Sequence, residues 1–145
     1  MERDDSAHRG SPGWVEEITA GDSLLAYVVR SGDDPHETSF FTPPEMTFQA
    51  GSVVVPAGDR VARHDHVPVE RHIVGTAEAI FVRRGRCEME VYHLDRQLVS
   101  TVELRQGDMV LFVSAAGHGF RALEDTVLFE IKQGPYGGLE EKSRF

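Results

Sequence analysis

At 145 residues the chain has the length for one domain with a single sizeable core, and its 40% hydrophobic and 27% charged content is ordinary for a globular protein. A net charge of −9 argues against a nucleic-acid backbone or an anionic membrane surface as partner. A single cysteine, Cys87, excludes an internal disulfide and fits a reducing cytoplasm. No run approaches the roughly twenty apolar residues of a membrane helix, and the polar, acidic start lacks the order of a secretory signal.

Residues 1 to about 13 are polar, with Gly and Pro near their end, and read as a flexible arm ahead of a domain spanning 14–145. Val15–Ile18 offers at most a turn or two of helix. From there the pattern is of short β-branched and aromatic runs: Leu24–Val29, Met46–Val55, Glu78–Val82, Cys87–His93, Leu98–Leu104, Met109–Val113, Phe120–Leu123 and Thr126–Ile131. Turn-forming segments separate them, among them Ser-Gly-Asp-Asp-Pro at 31–35, Pro-Ala-Gly-Asp at 56–59, Arg-Arg-Gly-Arg at 83–86 and Gln-Gly-Asp at 106–108. Strands at this spacing, with hairpin-length connections, predict an all-β sandwich or barrel. Arg83, Arg84 and Arg86 read as a solvated strand end and turn. Residues 133–145, opening on Gly-Pro-Tyr-Gly-Gly, read as an irregular segment laid over the barrel.

His64-Asp-His66 puts two imidazoles one residue apart, and on an extended strand they share a face because side chains alternate with period 2. A third imidazole returning from a distant strand, with His118 as the candidate, and a carboxylate would complete a mononuclear metal site. Imidazole and carboxylate together suit iron, manganese, nickel, zinc or copper.

These residues resemble the cupin family. Its first motif reads Gly, five residues, His-x-His, a short gap, Glu, six residues, Gly; this chain has Gly58, His64, His66, Glu78 and Gly85. The second reads Gly, five residues, Pro-x-Gly, two residues, His, then Asn. Here Gly107 and His118 stand at that spacing, Val113 and Ala115 replace the Pro and Gly, and Ala122 falls where the Asn would be. His64–Arg71, Thr76–Glu78, Gly117–Asp125 and Glu130–Tyr136 are further similar to small bacterial cupins found beside polysaccharide or secondary-metabolite genes. The resemblance implies a single-domain double-stranded β-helix, a jelly-roll barrel, holding one divalent ion (Fe(II), Zn, Mn or Ni) through His64, His66, Glu78 and His118. The stretch from Val67 to Ala77 is longer than the family's gap, which leaves Glu70 as the alternative carboxylate.

Around that set, Glu70, His72 and Lys132 are candidates to move protons, and Arg71, Lys132 and Tyr136 to hold an anionic substrate. Lys132 follows Glu130 by two residues, so the two share a strand face. Cys87 lies on the face of Met89 and Val91 and reads as a small buried hydrophobe. His93 is expected at an exposed strand end, and His8 and His36 as bystanders. The leading expectation is a metalloenzyme of oxygenase or isomerase/lyase type acting on a small polar molecule. Its alternatives are a metal-free sugar isomerase or epimerase and a non-catalytic metal or ligand binder. The family's habit of dimerising through its N-terminal segment, with Leu24, Leu25, Phe40 and Phe41 in residues 14–45, implies a homodimer.

Overall fold

The structure, a computed structural model, describes residues 11–113 and 116–145; His8, Ala115 and residues 1–10 of the expected arm lie outside the described residues. Among the described residues ten strands occur in chain order: β1 Val15–Ala20, β2 Ser23–Val29, β3 Ser39–Phe40, β4 Gly51–Ser52, β5 Glu78–Arg84, β6 Arg86–Tyr92, β7 Leu98–Arg105, β8 Met109–Phe112, β9 Gly117–Ala122 and β10 Val127–Lys132. A single 3₁₀ turn, Leu139–Glu141, follows among the described residues. No helix there is long and apolar enough to cross a membrane.

Every strand pair is antiparallel. One sheet has the order β1-β2-β8-β5-β10, a second β7-β6-β9, and β3-β4 forms a small ribbon. The all-β expectation holds at this level; the three sheets do not close into a barrel among the described residues.

The two larger sheets face each other across one core. Alternation along β5 turns Glu78, Ile80 and Val82 inward, and along β6 it turns Cys87, Met89 and Val91 inward, as the sequence predicts. Val28, Val110, Phe112 and Leu104 belong to the same cluster. Burying each such side chain contributes about 1.5–3 kcal/mol.

Val15–Ile18 is strand rather than a turn of helix. Val15 and Ile18 are buried three apart, a helix-like spacing, yet they face opposite sides: Ile18 joins the core and Val15 a second cluster on the outer face. That outer cluster explains the next difference. Of the expected strand Met46–Val55 only Gly51–Ser52 pairs, because Phe41, Met46, Phe48 and Ala50 instead cover Tyr27 and Leu111. Phe41 meets Tyr27 edge-on at 5.1 Å and Trp14 at 5.7 Å. Ala50 N donates to Thr42 Oγ1 at 3.0 Å, and Gln49 Nε2 to the Pro43 carbonyl at 2.8 Å, which holds this cover in place. Leu24, Leu25 and Phe41 are thereby used inside the chain's own fold, while Phe40 is exposed.

Two features set the joints between layers. Gly85 (φ +90°) is the sole residue between β5 and β6, which lie in different sheets, and a Cβ there would strike the Asp125 carbonyl and come 2.8 Å from Thr126 Cα. Buried Asp108 accepts from Ser31 N (3.0 Å), Arg105 N (3.0 Å) and Arg30 Nη1 (3.1 Å), tying the β7–β8 turn to the end of β2.

Candidate functional site

β5 begins at Glu78, β8 ends at Phe112 and β10 ends at Lys132; the ladders place Glu78 opposite both Phe112 and Lys132. On the facing sheet His118 lies opposite Val91. All of these residues are therefore at one end of the sandwich. His118 Nε2 lies 2.6 Å from Glu78 Oε1, joining the two sheets across the core, with side-chain exposures of 24% and 11%. The His118 ring stacks on Phe112 at 3.9 Å and 12° and meets Phe120 edge-on at 5.9 Å.

Hydrogen bonding from His118 holds the Glu78 carboxyl below the usual carboxylate range, against burial, which pushes it up. The imidazole's charge, Glu130 and the Lys132 ammonium act in the same lowering direction. Glu130 faces Ile80 and Lys132 faces Glu78, so the expected shared face of this pair is the inner one. Lys132 Nζ sits 5.3 Å from the ring centre of Tyr136, itself exposed.

The other expected ligands lie apart. Residues 53–76 form no strand, and His64 and His66 are exposed there, their rings 5.3 Å apart. Glu70, Arg71 and His72 are exposed on the same segment, with Arg71 Nη1 3.4 Å from the Val69 carbonyl. Among the described residues no three His, Cys, Asp or Glu side chains converge on one point. The structure thus joins Glu78 to His118, sets Lys132 opposite Glu78 with Glu130 on the same face, and leaves His64, His66, Glu70, Arg71 and His72 outside.

The donor chemistry nonetheless fits a metal ion at the assembled half. A carboxylate and an imidazole are donors that first-row ions take together, and Glu78 Oε1 and His118 Nε2 meet at 2.6 Å, a hydrogen-bond distance. His64 and His118 also share an orientation: each turns Nδ1 to the carbonyl two residues upstream, at 2.8 Å to Ala62 and 3.4 Å to Ala116. A proton on Nδ1 at such a contact leaves Nε2 of His64 as the ligand atom, whereas Nε2 of His118 is engaged with Glu78.

Phe112 is the residue that the sequence reading passes over. In sequence it is one more apolar residue of a core strand; its contact with His118 depends on the β5–β8 pairing, to which the sequence carries no local signal. His93, expected exposed, is half-buried in the β6–β7 turn with Nδ1 3.5 Å from Asp95, whereas His36 is exposed. A cleft of about 410 Å³ lined by Arg86, Arg105 and Glu124 involves none of these residues, and its arginines are ion-paired with Glu103. Compared with known proteins, the chain matches no family model, no curated protein and no solved structure.

Proposed function

We propose that this chain is a cupin-type metalloprotein, a single-domain jelly roll that holds one divalent ion through His64, His66, Glu78 and His118 and acts on a small polar or anionic metabolite. The observation that supports this reading is the Glu78–His118 pair, an inward carboxylate and imidazole meeting at 2.6 Å at one end of the sandwich. Among the described residues β9, which carries His118, pairs with β6 alone, so its other edge has no ladder partner there. Residues 53–76 are rich in valine and without a ladder. Laying Val61–Val67 along β9 would pair that edge and, at period 2, put His64 and His66 together on one face beside His118. The eleven residues Val67–Ala77 provide the slack for this rearrangement.

A divalent ion there supplies Lewis acidity, or redox chemistry if it is iron. Lys132 orients an anionic substrate group, and Glu130 stands on the same strand face as Lys132, in hydrogen-bond reach of Glu78. Closure of the segment carries Glu70, Arg71 and His72 toward the same mouth, where Tyr136 already stands. The active form is a homodimer, with Phe40 left exposed for the contact. A second reading, a metal-free isomerase, is favoured by one observation: the 2.6 Å carboxylate–imidazole contact is itself an acid–base dyad.

Elemental analysis and calorimetric titration with Fe(II), Zn, Mn and Ni test this. The expected result is one equivalent bound, affinity reduced more than about 100-fold in His64→Ala, Glu78→Gln and His118→Ala, and unchanged in Glu70→Gln. Amide exchange at residues 61–67 slows on metal addition if the segment docks. Iron directs the search to oxygen uptake, and Zn, Mn or Ni to isomerase or lyase chemistry. No binding in the intact chain would leave the dyad reading in its place.

A further inference from the structure

Segment 133–145 starts on one sheet and ends on the other, at the end of the sandwich that holds Glu78 and His118. At its start Gln133 Oε1 accepts from Ala77 N at 2.9 Å, next to Glu78. Tyr136 then stands over Lys132, the cross-strand neighbour of Glu78. At its far end Phe145 meets Tyr92 edge-on at 5.0 Å, and its Cζ lies 3.1 Å from where a Cβ on Gly117 would stand, next to His118. The receiving surface is itself held, since Tyr92 donates its hydroxyl hydrogen to Glu90 Oε2 at 2.6 Å.

Arg96, in the β6–β7 turn, makes the arrangement more telling. Its φ of +66° is a backbone conformation that favours glycine or asparagine, and an arginine there carries a conformational cost. Its side chain engages the same segment twice: the guanidinium lies 4.9 Å from the Phe145 ring centre, and Nη2 donates to Ser143 Oγ at 2.7 Å.

We infer that residues 133–145 are a strap across the mouth of the Glu78–His118 site, latched by Phe145 and Ser143 on Tyr92 and Arg96, and that release of the latch controls access to His118. The inference rests on the pair as it stands in the structure and holds whether or not the pair binds a metal. An edge-on aromatic contact and an exposed cation–π contact each contribute enough to shift an open–closed balance several-fold. Exposed Phe145 is also removable without opening the core.

The test is the rate at which diethyl pyrocarbonate modifies His118 in the full chain, read on its peptide by mass spectrometry, with chelator present so that no ion shields the imidazole. Exposed His36 serves as internal reference. Phe145→Ala and Arg96→Gly are each expected to raise the His118 rate about five-fold with His36 unchanged, while Phe145→Tyr stays near the wild-type rate. Arg96→Gly relieves the left-handed backbone, so the thermal midpoint holds or rises as access increases, an outcome that general loosening would not give. Wild-type His118 rates in both Phe145→Ala and Arg96→Gly would overturn the strap.

Discussion

The ribbon Glu78–Tyr92 and the segment 53–76 both carry β-branched residues, the segment more of them, and they end in opposite states. In the ribbon, apolar and polar residues alternate, β5 finds β8 and β10 as partners, and β6 finds β7 and β9. Val82, Met89 and Val91 are wholly buried as a result. In 53–76 the valines come in an unbroken triplet and then scattered, interrupted by Pro56, Gly58, Asp59, Pro68 and Gly75, and Val67 is 80% exposed. Strand propensity is a statement about fitting a pleated, half-buried surface, and it is realised only where a ladder partner exists. The candidate ligands divide along the same line: Glu78 is at the head of the ribbon, and the His-x-His pair is on the partnerless segment.

Substitutions sharpen this contrast in descending order of effect. Met89→Ala, which empties a fully buried position of the ribbon, is expected to cost about 2–5 kcal/mol in urea unfolding. Gly85→Ala combines a positive φ with a backbone clash and is expected to cost about 1–3 kcal/mol; loss of stability on the same urea scale checks it. The third effect depends on pH. Glu78 has a folded value below its ordinary 4.5, so its ionised form adds stability above that value, and the addition disappears as pH falls through the lower folded value. The stability gap between metal-free wild type and Glu78→Gln should therefore be open at neutral pH and close progressively in acid below the ordinary glutamate range. Smallest of all, Val67→Ala should change stability by less than about 0.5 kcal/mol. A larger loss, seen only with metal added, would mean that the segment has found its partner.

What could be read in advance follows from what kind of contact each feature needs. The β-branched and aromatic runs at 24–29, 78–82, 87–93 and 98–104 reappear as strands within a residue or two, because strand propensity and the turn residues that bound them are local signals. β9 begins at Gly117, three residues before the apolar run at Phe120, since Gly117 and His118 pair with Tyr92 and Val91 and carry no strand signal of their own. Val15–Ile18 misleads because a strand buried on both faces can imitate a helical spacing. Met46–Val55 misleads because its apolar residues cover a sheet face, a job that needs no ladder. At the site, Glu78 and His118 were named through the family resemblance, and spacing by two gave Glu130 and Lys132 a shared face without saying which one. The stack of Phe112 on His118 was not legible, since it arises from pairing between strands distant in sequence.

The single-residue crossing at Gly85 has a consequence for the pair at the other end of the ribbon. β5 and β6 leave Gly85 like the two arms of a pair of tweezers, one in each sheet, with Glu78 at one tip and Val91, which positions His118, at the other. What keeps the tips apart is the material clamped between the arms: Ile80, Val82, Cys87 and Met89. The gauge of the site is thus written in the girth of the core, and a side chain far from any ligand atom can widen or narrow the bite.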